Sequence, residues 1–243
     1  MKSTHTKKRR RIVWKLRGLT LLFFATSLAF LVANVYLAWR LLDGDDNKEM
    51  YSVRLMKETI NEMQGMNEKA VQVMTEVNNL IMQEQQEIYQ NTLAGIIVDY
   101  FYDQGTERNY FDCLKIIKCA QKYAPEPFSY QDMLTIAWVE SAFDPKAVGK
   151  FDERGVWQIL KWQEYLSEMK ARNPHDIEVN CQMASIELAK KYEWKKDYKS
   201  AIIAYNGWIT KNGMVSEKYW LKFTGRKKEI EKFCKKAEKR IRK

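Results

Sequence analysis

Ser129-Tyr130-Gln131-Asp132-Met133-Leu134-Thr135-Ile136-Ala137-Trp138-Val139-Glu140-Ser141-Ala142-Phe143-Asp144-Pro145 is the stretch on which the reading of this 243-residue chain turns. Ser129 and Asp132 stand at capping-box spacing, so a helix is predicted over 129–141, opened by the Ser hydroxyl at an otherwise orphaned backbone N–H. Ile136-Ala137-Trp138-Val139 lead directly into Glu140, which places a carboxyl at the end of a mostly apolar helix. Burial there disfavours the charged form and keeps a proton on the group near neutral pH. A Glu at a helix end is ordinarily exposed. What distinguishes Glu140 is its company further along: Arg154-Gly155-Val156-Trp157-Gln158-Ile159, then Ala204-Tyr205-Asn206-Gly207, with amide and phenol groups of the kind that line a sugar-binding cleft.

Outward from this helix the pattern is helical throughout. With 10 Gly and 4 Pro in the chain, tight turns are few and an all-α fold is expected. Apolar spacing and capping signals predict helices at about 109–122, 129–141, 160–171, 176–192, 197–206 and 215–222, with breaks at Ala124-Pro125-Glu126-Pro127 and Asn173-Pro174. These make a globular domain over 105–225, large enough for a modest core. Trp138, Trp157, Trp162, Tyr192, Trp194, Tyr205 and Trp208 are read first as core, with a few able to stack on sugars. The segment 226–243, rich in Lys and Arg, is read as a solvated basic helix that can touch a membrane surface or anionic polymers.

The net charge of +10 is unevenly placed. Residues 1–17 carry eight basic side chains and no acid, residues 226–243 carry ten basic and three acidic, and the stretch between is net acidic. A nucleic-acid footprint needs a basic face on the folded domain itself, so nucleic acid is excluded as a partner. After the basic tail 1–17 comes an uncharged run, 18–39, long enough to cross a hydrocarbon core of roughly 30 Å as a helix. Lys7 to Arg11, Lys15 and Arg17 precede it, and Asp43, Asp45 and Asp46 follow. The expected topology is a single-pass inner-membrane anchor, N-terminus cytoplasmic and the remainder extracytoplasmic. A cleaved signal peptide is the rival; the apolar run exceeds a usual h-region and no clear small-x-small site precedes Asp43.

Beyond Gly44-Asp45-Asp46-Asn47 no Pro occurs until Pro125, and a helical stalk is expected over 48–100. A heptad seam runs Val53, Met56, Ile60, Met63, Asn67, Ala70, Met74, Val77, Ile81, Glu84, Ile88, Asn91, apolar at nine of twelve positions. Two readings fit it: a coiled coil joining copies of the chain into a homo-oligomer, or one amphipathic helix folded back on the domain.

Four cysteines, Cys113, Cys119, Cys181 and Cys234, allow three pairings. Cys113 and Cys119, about 9 Å apart along one helix, do not pair with each other. Bridges among the rest and four free thiols both stand. A Cys-His peptidase would need His175 beside one of these thiols, and no local signature supports it. No metal-ligand spacing is present, and no cofactor is expected.

The segment Glu140 to Val148 resembles the catalytic signature of the soluble-lytic-transglycosylase (SLT) family of the lysozyme-like superfamily. Gly155-Val156-Trp157-Gln158-Ile159 is similar to that family's Gly-Leu-Met/Phe/Trp-Gln-Ile segment, Asn180 falls where it has an Asn opening a helix, and Ala204-Tyr205-Asn206-Gly207 is similar to its Ala-Tyr-Asn-x-Gly. The likeness covers about residues 125–210. Gly149 stands where many relatives have Ser, Lys150 to Arg154 are inserted, and Trp208 follows Gly207. The resemblance implies a lysozyme-like helical domain acting on peptidoglycan. It implies cleavage of the β-1,4 bond between N-acetylmuramic acid and N-acetylglucosamine. Glu140 would first protonate the leaving oxygen; as a carboxylate it would then take the C6 hydroxyl proton while a 1,6-anhydro ring closes. Ser141 and Tyr205 would orient Glu140 or polarise the acetamido group, and Gln158 and Asn206 would hydrogen-bond substrate. A hydrolytic muramidase requires a second carboxylate, for which Asp144, Asp152 and Glu153 are the candidates. A non-catalytic wall-binding scaffold is the alternative from another class. An anchored enzyme of this kind cuts the wall locally, which suits either a secretion or conjugation machinery or remodelling during growth.

Overall fold

The computed structural model describes Tyr36 and residues 46–171, 173–207 and 217–242. The basic tail 1–17, the apolar run 18–39 apart from Tyr36, and Trp208 lie outside the described residues. Among the described residues no helix is long and apolar enough to cross a membrane. The protein is mostly helical, as expected, and among the described residues it has no strand, only isolated bridges joining Val148 to Arg154 and Arg154 to Ile159. The helices are α1 (Asp46–Asp103), α2 (Tyr110–Tyr123), α3 (Tyr130–Ser141), α4 (Trp162–Glu168), α5 (Ile177–Lys195), α6 (Tyr198–Tyr205) and α7 (Glu217–Arg242). The chain divides into two compact units at residues 81 and 82.

In the first unit, α1 leaves Ile60, Met66, Val71, Val73, Met74 and Leu80 exposed, while Met63, Ala70, Val77 and Ile81 are half-buried. The apolar stripe is wider than the seam, because Met66, Val73 and Leu80 form a further row at heptad spacing beside Ile60 and Met74.

The second unit is the globular domain, and it draws on more of the chain than 105–225. The last turns of α1 bury Leu93, Ala94, Ile96, Ile97 and Phe101, positions that share one helical face. At the other end no break separates 215–222 from the basic segment. α7 continues from Glu217 to Arg242 and buries Tyr219, Phe223, Ile230, Phe233, Cys234 and Ala237, so the segment read as solvated has a core face. Its basic side chains are exposed or used locally: Lys227 pairs with the buried Asp132 at 2.7 Å and reaches the Tyr198 hydroxyl at 3.0 Å.

α3 is the centre of the domain. Ser129 and Asp132 close the expected capping box, Ser129 N–H donating to Asp132 Oδ2 at 2.8 Å. Eight consecutive residues, Asp132 to Val139, are buried because α2 and α7 both pack on this helix. A helix so enclosed needs no polar face, which is why its sequence is apolar all round. α2 also packs on α5, α5 on α6, and α6 on α7. Asn109, Asp176 and Asp197 cap α2, α5 and α6 through their side-chain oxygens. The four cysteines are buried and free.

Candidate active site

The enclosed helix ends abruptly at the site. Ala142 and Phe143 both take positive φ, 52° and 66°, a conformation that costs a non-glycine residue energy and needs support from its surroundings. The support is packing: Phe143 is buried against Phe101 and Trp138, with ring centroids 5.8 and 6.4 Å apart. The chain therefore turns away one residue after Ser141, leaving Glu140 at the mouth of two cavities.

The larger cavity, about 640 Å³, is lined by the end of α1, the end of α3, the loop after it and one face of α7. The smaller, about 140 Å³, lies toward α4, α5 and α6. Glu140 and Gln158 line both, so the carboxyl stands where the two meet.

Burial pushes the Glu140 carboxyl above its ordinary pKa, and the like charge of Glu153 adds to this. Three groups oppose the rise: the Tyr219 hydroxyl, which donates to Glu140 Oε1 at 2.6 Å, the Lys222 ammonium, and the Asn206 amide. The site thus retains the proton by desolvation and yet has donors ready for the carboxylate. A group used first as acid and then as base requires that balance. Desolvation and the neighbouring Glu140 carboxyl hold Tyr205 and Tyr219 far above the usual phenol range, so both remain protonated donors.

The loop 147–159 forms the opposite wall. Gln158, at φ 49°, donates its amide to Gly155 O at 2.8 Å and Ala147 O at 3.2 Å, which fixes its position between the cavities. Asn180, fully buried at the start of α5, holds the loop from behind: its Oδ1 accepts from Trp157 N at 2.9 Å and its Nδ2 donates to Arg154 O at 2.8 Å. Asn180 approaches so closely that a Cβ on Gly155 would lie 2.6 Å from its Cγ, and Gly155 also has φ +76°. At Gly149, a Cβ would point at the Glu153 carboxylate and the Gln158 amide oxygen, the mobile ends of two side chains.

The expected site residues thus converge, in different roles. Glu140 and Asn206 line the smaller cavity together, and the Asn206 amide opposes the rise of the Glu140 pKa. Tyr205 donates to Trp157 O at 2.9 Å and lines the smaller cavity with Asn206. Ser141 donates to Val156 O at 2.7 Å and accepts from Asp144 N at 3.1 Å, tying the end of α3 to the loop, and it also lines the larger cavity. Trp157 is core: fully buried, it donates from its indole to Met133 O at 2.9 Å. Of the three candidate second carboxylates, Asp144 accepts from the Lys146 backbone and Asp152 pairs with Arg154, whereas Glu153 shares a cavity with Glu140. His175 contacts Pro145 O. Among the described residues no cluster of three or more His, Cys, Asp or Glu could hold a metal.

Two further residues of the site, Tyr219 and Lys222, belong to none of the three sequence blocks. They reach the site from α7, where Tyr219, Lys222 and Arg226 share one face at i, i+3 and i+7 spacing. That spacing is visible in the sequence, but the partner of the face is set only by the packing of α7 on α3.

One desolvated carboxyl between two open cavities, with donors for its ionised form, gives this helical domain a site able to release and take back a single proton. Residues 116–231 match the family described as Transglycosylase SLT domain, so the chain carries an SLT-type lytic transglycosylase domain over that span. Peptidoglycan is the substrate, at the level of the family. No curated protein and no solved structure matches the chain.

Proposed function

We propose that this protein cleaves the MurNAc-β-1,4-GlcNAc bond of peptidoglycan with formation of 1,6-anhydro-MurNAc. The observation that carries the reading is the Glu140 carboxyl, raised by burial and met by the Tyr219 hydroxyl at 2.6 Å, where the two cavities join. In the first step Glu140 gives its proton to the leaving glycosidic oxygen, and the bond from that oxygen to the anomeric carbon breaks. The resulting carboxylate is stabilised by Tyr219, Lys222 and Asn206. In the second step it takes the C6 hydroxyl proton as O6 bonds the anomeric carbon, which returns Glu140 to its acid form. Zymography on purified sacculi tests the assignment of Glu140: clearing by the parent and none by Glu140→Gln supports it, and full clearing by the variant refutes it.

A hydrolytic muramidase is the second reading, supported by Glu153, which lines the smaller cavity with Glu140. Under it a water is activated and the product carries a reducing end.

The anchor at 18–39 places the domain outside the cytoplasmic membrane, with the stalk as spacer and, through its exposed apolar stripe, as a homo-oligomer contact. Protease added to intact spheroplasts should digest the domain; full protection would remove this topology. A single-chain mass by ultracentrifugation in detergent would remove the oligomer. A local wall cut serves a secretion or conjugation machinery, or growth.

A further inference from the structure

The two cavities at Glu140 differ sharply in charge. The smaller is lined by Glu153 and Glu187 together with Lys161 and Lys191, and Lys191 is spent on Glu187 at 2.8 Å. The larger has three charged lining groups: Glu140 at the junction, and Lys222 and Arg226 on α7. Apart from Glu140 at the junction, the charged groups of the larger arm are both cationic.

Arg226 is the distinctive member. Its guanidinium lies 4.7 Å from the centroid of the Trp138 ring. That ring is in turn fixed between Phe233, stacked at 5.6 Å, and Tyr100, edge-on at 5.2 Å. The other cations of this face have protein partners: Lys222 donates to Val139 O at 2.7 Å and Lys227 pairs with Asp132. Arg226 has no ion-pair partner among the described residues, although it is half-buried in the cavity wall. A guanidinium held over an aromatic ring, with no ion-pair partner among the described residues, is preorganised for a carboxylate. Gln104, Thr106 and Gln158 supply the same cavity with uncharged groups suited to sugar hydroxyls and acetamides.

We infer that the arm between α3 and α7 recognises a carboxylate on the glycan through Arg226, so that the enzyme selects strands bearing an anionic substituent over neutral N-acetylglucosamine polymers. The inference rests on the peptidoglycan reading of the same site. In the wall the muramic unit supplies that anion, either as a free lactyl carboxylate or through the carboxylates of an attached stem peptide. Its capture in this arm orients the strand across Glu140.

The test is equilibrium binding to the full-length Glu140→Gln chain, which separates recognition from cleavage. Three ligands are compared: chitohexaose, glycan strands stripped of stems by an amidase, and uncrosslinked strands that keep them. At least one carboxylate-bearing strand is expected to bind about tenfold or more tightly than chitohexaose, as a charge-assisted hydrogen bond implies. If the stripped strands show the preference the lactyl group is read; if only the intact strands show it, the stem is. Adding Arg226→Met should bring the affinity ratio close to one, and Arg226→Lys should keep part of it. Arg226→Gln replaces the Met variant if that variant melts early. Equal affinity for all three ligands overturns the inference, as does a folded Arg226→Met or Arg226→Gln chain with an undiminished ratio. Absence of binding to any glycan removes the peptidoglycan reading itself, and the inference with it.

Discussion

Replacing Tyr219 by Phe deletes one oxygen and with it the 2.6 Å hydrogen bond to Glu140 Oε1. The ring keeps its place, since Tyr219 is buried in the face of α7 that packs on α3. A hydrogen bond to a charged group is worth about 1.5–3 kcal/mol. If that stabilisation is expressed when Glu140 is a carboxylate, kcat should fall by about 10- to 150-fold. The direction of the pH dependence is also fixed. The hydroxyl donates to the ionised form and so lowers the Glu140 pKa. Its loss lets burial and Glu153 push the pKa higher, so the limb where activity fades because Glu140 has lost its proton should move to higher pH. Release of soluble muropeptides from purified sacculi, followed across pH 4 to 9, measures both. A Phe variant with parental kcat and an unmoved alkaline limb would refute the argument that Tyr219 positions and tunes Glu140. A folded variant with a fallen kcat but no shift of the limb would mean that the hydroxyl serves the reaction without tuning the Glu140 pKa.

Glu140→Gln should raise stability while abolishing activity. The folded-state pKa of Glu140 lies above its ordinary value, so the acid form is the one the fold favours. That contribution is fully present below the unfolded pKa and is lost as pH rises through the folded one. The variant should therefore melt above the parent at neutral pH, with the difference vanishing at pH values below the ordinary Glu range; a parent that melts higher at pH 7 would contradict the burial argument. Asn180→Ala strands two buried backbone groups, Trp157 N–H and Arg154 C=O. At about 1–3 kcal/mol for each unsatisfied group, a loss of about 2–6 kcal/mol is expected in denaturant unfolding, with activity reduced because the Gln158 wall loosens. A loss below about 0.5 kcal/mol, the scale of a neutral surface change, would mean that Asn180 does not hold the loop.

The part of the candidate site around Glu140 is legible in the sequence because its signals are local. Ser129 and Asp132 define where α3 starts, and the apolar run before Glu140 announces a buried helix end. The two further blocks carry Gln158, Tyr205 and Asn206 at positions that the fold does bring to one cleft. What was not legible depends on packing between distant segments. Ile230, Phe233 and Ile241 are sparse among ten basic residues, and charge density suggested a solvated helix; yet Ile230 and Phe233 enter the core because α3 is apolar all round and accepts a helix on that side as well. Tyr219 and Lys222 were missed for the same reason. The last turns of α1 look like stalk in the sequence, since an amphipathic face is alike whether it meets another copy or the protein's own core, and Leu93, Ile96, Ile97 and Phe101 meet the core. Gly149 departs from the family pattern, and the Glu153 carboxylate lies where its Cβ would point, an approach that no local signal shows.

The most direct test of the central claim is mass spectrometry of the products released from purified peptidoglycan by the full-length chain and by its Glu140→Gln variant. Muropeptides ending in 1,6-anhydro-MurNAc, formed by the parent and absent with the variant, are the predicted result. Reducing MurNAc ends from the parent would contradict the single-carboxyl mechanism and assign the second role to Glu153; cleavage by the variant at the parental rate would remove Glu140 from the chemistry altogether.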